Sequence, residues 1–164
     1  MNRQNPMKIV IIDDDQRFSE KMKNFLKQEF TAKIKLFNCG NDFMDFAQQQ
    51  DMDLVIIEHT IMDGKGKEII RQIINLNKDI KVIIMSLKNE VKTIVELIRQ
   101  GVHDFISKSN IDFDIVKASV EKAINERDPV ESVFNFRLNS RKVQRFGLNA
   151  FLLGINILIA GNSY

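Results

Sequence analysis

Hydrophobic positions along the chain alternate between two kinds of pattern. Short apolar runs at Lys8–Asp13, Lys33–Phe37, Leu54–Glu58, Val82–Ser86 and Val102–Ser107, several rich in Ile and Val, read as β-strands. Two of them, Ile9–Ile12 and Leu54–Ile57, are continuous rather than alternating, the pattern of a parallel strand covered on both faces. Between the runs lie segments with helical spacing. Phe18, Met22, Phe25 and Leu26 share one helical face, as do Ile69, Ile70, Ile73 and Ile74. Val91, Ile94, Val95 and Ile98 form a third such set, and Phe113, Val116, Val120 and Ile124 a fourth. A less regular helix around Asn41–Gln50 carries Phe43, Phe46 and Ala47. Five β-then-α units joined by right-handed crossovers predict an α/β fold, an open, doubly wound five-stranded parallel sheet.

The alternation stops near Pro129, which is expected to end the last helix or its linker. The chain of 164 residues has room for one ordinary domain, placed at residues 7–126, and a linker and extension at 127–164. Hydrophobic residues make up 44% and charged residues 28%, values of a globular rather than a disordered chain. The net charge of +2 is unevenly placed: residues 130–164 hold four basic residues and one acidic, leaving 20 basic against 21 acidic before them. The main domain therefore has no basic excess for nucleic acid. A single cysteine, Cys39, precludes an internal disulfide, and the apolar stretch Ile9–Ile12 is too short for a signal peptide. A cytoplasmic location is expected.

Open α/β sheets place ligands at the carboxyl ends of their strands. Here those ends carry Asp13-Asp14-Asp15, Glu58, Ser86 and Lys108. A nucleotide fold would put glycines at the first turn to cradle phosphate on backbone N–H groups. Three carboxylates there suit instead a hard divalent cation such as Mg²⁺ beside a phosphoryl group, with the lysine and hydroxyl on the remaining oxygens. Asp15, ahead of Phe18, reads as a helix N-cap. His59 follows the strand with no second ligand nearby in sequence and is expected to be an incidental surface residue, and His103 has no better claim to a role.

Residues 7–126 resemble the receiver domain of bacterial two-component response regulators, on the fragments Ile11-Ile12-Asp13-Asp14-Asp15, Asp53-Leu-Val-Ile-Ile-Glu58, Ile83-Ile84-Met85-Ser86 and Gly101-Val-His-Asp-Phe105-Ile-Ser-Lys108. The resemblance implies that Asp13 and Asp14 form the acidic metal pair and that Thr60 lends a backbone carbonyl to the metal. It implies further that Ser86 is the hydroxyl that moves toward the phosphoryl group, that Phe105 is the aromatic switch residue, and that Lys108 contacts the phosphoryl group. On its apolar strand Phe105 reads equally as plain core. The expected partners are a sensor kinase or a downstream protein, with a homodimer as a further assembly.

Four residues depart from the family's pattern around the reaction centre. Glu58 stands where the phosphoacceptor aspartate is expected, and its extra methylene moves the carboxylate about 1.5 Å into the pocket. Met62 replaces a usual proline, and Leu87 replaces a usual small residue, so a bulky side chain is expected to crowd the pocket mouth. Ser109 replaces a proline that commonly follows a cis bond, and a trans bond is expected here, because a non-proline cis bond costs roughly 2.5–4 kcal/mol. Together they predict an atypical receiver, or pseudo-receiver, that signals by protein contact, with Glu58 paired to Lys108 and Mg²⁺ binding weak or absent. A conventional Mg²⁺-dependent receiver is the alternative. A haloacid-dehalogenase-type enzyme, for which Asp13 and Asp15 offer the D-x-D spacing, fits less well, because the short loops leave no cap domain.

Residues 146–164 hold no charged side chain, yet Asn149, Asn156 and Asn162 argue against a membrane span, and Ile155–Ile159 reads as a strand. Arg141 and Arg145 have the R-x-x-x-R spacing of cyclic-di-GMP-binding PilZ domains, so the tail resembles the opening of one.

Overall fold

The computed structural model describes residues 5–60, 66–87 and 91–125. Pro129, Arg141, Arg145, Ile155–Ile159 and Met62 lie outside them, and so do the readings that rest on those residues. The strands are β1 (Met7–Ile12), β2 (Ala32–Phe37), β3 (Leu54–Glu58), β4 (Lys81–Ser86) and β5 (Asp104–Ser107). They alternate with α1 (Gln16–Glu29), α2 (Gly40–Ala47), α3 (Gly66–Leu76), α4 (Val91–Arg99) and α5 (Phe113–Asn125). All strand pairs are parallel, in the order β2-β1-β3-β4-β5. This is the doubly wound architecture that the sequence pattern predicts.

The continuous apolar runs follow from the two covered faces. Successive side chains on a strand point to opposite sides. Val10, Ile12, Val55, Ile57, Val82 and Ile84 pack with Phe43 of α2, Ile69, Ile70 and Ile73 of α3, and Ile94 and Leu97 of α4. Ile9, Ile11, Leu54, Ile56, Ile83 and Met85 pack on the other face with Met22 and Leu26 of α1 and Val116 and Val120 of α5. Every residue of β3 is buried as a result. Each fully buried aliphatic side chain contributes about 1.5–3 kcal/mol of transfer free energy, so this double cover is the main source of stability.

β5 begins at Asp104, later than the predicted Val102, although the His103 N–H still donates to the Val82 carbonyl at 2.8 Å. His103 is 5% exposed, and neither ring nitrogen has a hydrogen-bond partner among the described residues. It lies at the base of β5 beside β4, within reach of the charges of Lys81 and Lys122. Burial, reinforced by the charges of Lys81 and Lys122, holds its imidazole down to about 4 from an ordinary 6.5.

Since the unfolded chain takes up this proton first, acid favours unfolding between pH 6.5 and 4, and the neutral form carries no penalty above that window. Lowering the pH from 7.5 to 5 is expected to cost about 2 kcal/mol through His103 alone. Urea melts of the native chain and of His103→Leu at the two pH values check this. An equal acid loss in both proteins would remove His103 as the cause.

Gly66 opens α3 directly over the end of β3. A Cβ at this position would lie 2.2 Å from the His59 carbonyl oxygen, so no larger residue fits without displacing backbone. Gly66→Ala is expected to destabilise by about 1–3 kcal/mol, as overpacking against an immobile neighbour does, and thermal melts measure it.

Candidate functional site

The sheet register carries Asp13, Glu58, Ser86 and Lys108 to one edge. Ile12 pairs with Ile57, Glu58 with Met85, and Ser86 with Ser107. The Lys108 N–H donates to the Ser86 carbonyl at 2.8 Å, which fixes where the lysine leaves the sheet.

The three aspartates divide their work. Asp13 is 2% exposed and turns inward, its Oδ1 accepting the Asp15 N–H at 3.0 Å. Asp14 is exposed. Asp15 caps α1 as expected, accepting the Phe18 N–H at 3.0 Å. The acidic pair implied by the resemblance is thus one buried carboxylate and one in solvent.

Lys108 Nζ donates to Asp13 Oδ1 at 3.0 Å and to Oδ2 at 2.8 Å. It also lies 3.2 Å from Glu58 Oε2, so the expected pairing of Glu58 with Lys108 is present in the structure. The three side chains are only 6%, 2% and 4% exposed, in the order Lys108, Asp13, Glu58. The other carboxylate oxygen of Glu58 accepts from Thr60, through the hydroxyl at 2.8 Å and the backbone N–H at 3.2 Å.

Electrostatics at the centre are those of a compensated cluster. Burial pushes the Glu58 carboxyl upward, but His59, Thr60 and the charge of Lys108 together outweigh it and hold the group at about 2. For Asp13 burial prevails over the Lys108 and Asp15 contacts, and its carboxyl is raised. The Lys108 ammonium is itself raised: burial opposes its charge, and the two carboxylates overcome that opposition. Glu58 is therefore the firmly ionised partner, and Asp13 the one that takes up a proton first.

His59 does not take the expected surface position. It is buried, at 6% exposure, with Nδ1 3.6 Å from Glu58 Oε1. That distance is too long for a hydrogen bond and short enough for electrostatic contact. The reason is the packing of α3: Gly66 seats on the His59 backbone, so the residue after the strand still lies under a helix. Phe18 also belongs to the site. Its helical spacing marks it as core, yet its ring lies 4.4 Å from Lys108 Nζ.

Among the remaining residues, Ser86 is fully buried at the end of β4. Phe105 is 7% exposed and packs within the core facing α2, α3 and α4. Thr60 is exposed but turns its hydroxyl to Glu58. Leu87 is 64% exposed, so its side chain stands in solvent instead of crowding the pocket, and its carbonyl accepts the Ser109 hydroxyl at 3.2 Å. The peptide bond before Ser109 is trans, as expected.

A divalent cation needs several oxygen ligands converging on one point. The donor chemistry here is right, but two buried carboxylates converge on an ammonium, and the third carboxylate, Asp14, is in solvent. Among the described residues no group of three or more His, Cys, Asp or Glu side chains could hold a metal. As arranged, Lys108 supplies the positive charge between Asp13 and Glu58. No helix among the described residues is long and apolar enough to cross a membrane.

Comparison with known proteins agrees with this fold. The transcriptional regulatory protein ZraR of Escherichia coli is 27% identical over 124 residues, which cover 76% of this chain and 28% of that protein. The transcriptional regulatory protein CitT of Halalkalibacterium halodurans is 25% identical over 104 residues, 62% of this chain and 45% of that protein. The chain thus spans less than half the length of these curated relatives. The signal receiver domain of a LuxO repressor protein from Vibrio parahaemolyticus superposes with a TM-score of 0.68 at 25% identity, covering 81% of this chain and all of that one. A two-component response regulator from Clostridium difficile gives a TM-score of 0.68 at 24% identity, covering 74% of this chain and 98% of that one, a likeness of fold. A family model described as the response regulator receiver domain matches residues 9–120. The chain belongs to the response regulator receiver domain family of two-component signal transduction.

Proposed function

We propose that this chain is a pseudo-receiver, a signalling module that acts by changing its contacts with protein partners instead of accepting a phosphoryl group from a kinase. The observation that carries the reading is Lys108 Nζ standing 2.8 Å from Asp13 and 3.2 Å from Glu58. Receiver domains typically bind Mg²⁺ at the phosphorylation site. Here an internal cation does that electrostatic work, and the residue at the acceptor position already has its charge satisfied by three donors.

Glu58 holds the phosphoacceptor position without serving as acceptor. Its carboxylate gives the loop after β3 a fixed anchor through Thr60, a loose counterpart of the phosphorylated state with less charge and fewer oxygens than an acyl phosphate. Ser86 and Phe105 occupy the positions of the hydroxyl and aromatic switch pair, and Thr60 the position whose carbonyl serves a metal in the family. The partner is a sensor kinase or a downstream protein, and the role is regulatory, not enzymatic. Residues 7–126 form the signalling unit, and 127–164 a linker and extension.

Incubation with acetyl phosphate and Mg²⁺, followed by intact-mass measurement, tests the reading. The native chain is expected to stay unmodified. Stoichiometric phosphate on Glu58, stable to acid and labile to base, would overturn it.

A further inference from the structure

The ammonium of Lys108 meets carboxylates in two directions, and a third is closed by an aromatic ring. Phe18 lies in the first turn of α1, with its N–H on the Asp15 cap and its side chain packed against the core under α1 and α5. Its ring centroid is 4.4 Å from Lys108 Nζ, and the lysine side chain is left only 6% exposed. A ring face attracts a cation through its quadrupole, favouring the contact by about 3- to 30-fold in an equilibrium as the site is desolvated. The same ring keeps water away, which strengthens the contacts of Lys108 with Asp13 and Glu58.

We propose that Phe18 is a positioning residue whose ring closes the pocket over Lys108, holding the ammonium on Asp13 and Glu58 and away from incoming phosphoryl-type anions. The aromatic ring is thereby a third part of the internal compensation, supplied by the helix that follows the aspartates. It is placed by the Asp15 cap, which sets where the first turn of α1 begins.

The inference rests on the reading of the pocket as closed by internal charges, but its test reads the lysine alone. Acetic anhydride is applied to the full chain, and acetylation at Lys108 is followed by peptide mass spectrometry against the exposed Lys27 as internal reference. Native Lys108 is expected to react at least about tenfold more slowly than Lys27, because only the free amine reacts and the ion pairs suppress it. Phe18→Ala is expected to speed labelling of Lys108 by about 3- to 30-fold, with Phe18→Leu between the two and Phe18→Tyr like the native chain.

Native-rate labelling in both folded Phe18→Ala and folded Phe18→Leu would overturn the proposal. Should Phe18→Ala fail to fold by circular dichroism, Phe18→Leu decides alone. Hydrogen exchange at the amides of Ile11 and Ile56 separates positioning from general loosening: faster labelling with equally lost core protection also counts against it. Phosphate on Glu58 would defeat the pseudo-receiver reading without moving these labelling rates, so the two failures are distinguishable.

Discussion

Replacing Lys108 by alanine is expected to lower the stability of the folded domain by about 3–5 kcal/mol, a fall in Tm of roughly 10–20 °C. The substitution leaves Asp13 and Glu58 as two carboxylates, 2% and 4% exposed, with no cation between them. Breaking a buried pair on one side costs more than the pair contributes, because the surviving charge stays desolvated. Both carboxyls should then sit above their unfolded values, so the penalty is present at neutral pH and shrinks as pH falls through the raised values. Two further results distinguish lost charge compensation from lost packing. Glu58→Gln in the Lys108→Ala background should recover at least about 1 kcal/mol. Mg²⁺ should stabilise Lys108→Ala but not the native chain, by about 1.4 kcal/mol at tenfold its Kd. Thermal melts with and without Mg²⁺ read both, and an unresponsive Lys108→Ala protein would contradict the view that the lysine stands in for a metal.

Glu58→Asp is expected to raise phosphate incorporation from acetyl phosphate by about 10²-fold over the native chain. Removing one methylene draws the carboxylate back about 1.5 Å toward β3. In-line phosphoryl transfer depends mainly on position, and a displacement near that size accounts for a factor of this order. The shorter side chain also gives up its reach to Thr60 and to Lys108, now 2.8 Å and 3.2 Å away, and leaves the lysine on Asp13. Intact-mass measurement over time gives the rate. No gain in a folded Glu58→Asp protein would shift the block from the length of this side chain to the closure around Lys108.

The native pH response combines opposing effects. Glu58, held at about 2 against an ordinary 4.5, contributes stability above pH 4.5 that is lost as pH falls toward 2. Asp13, raised by burial, acts in the opposite sense: its charged form is disfavoured in the folded chain. His103 loses stability earlier, below pH 6.5, at the far end of the sheet from this cluster.

Much of the architecture was legible in the sequence, and for a local reason. Whether a segment is strand or helix shows in its own periodicity, and Ile9–Ile12 and Leu54–Ile57 carry the signature of two-sided burial in consecutive residues. Strand ends in an open α/β sheet share one edge, so Asp13, Glu58, Ser86 and Lys108 could be brought together from their order alone. The Asp15 cap was readable because its hydrogen bond spans three residues.

What the tertiary structure decided were directions and cover. Asp13 turns inward and Asp14 outward because the partner that claims Asp13 comes from Lys108, 95 positions away. His59 is buried because α3 closes over it through Gly66, and Phe18 faces a cation because α1 starts where Asp15 caps it. Periodicity assigns a residue to a face of its own element, but only packing between elements decides what lies opposite that face. The sequence by itself determined that carboxylates, a hydroxyl and a lysine share this edge; the fold determined that the lysine is already taken.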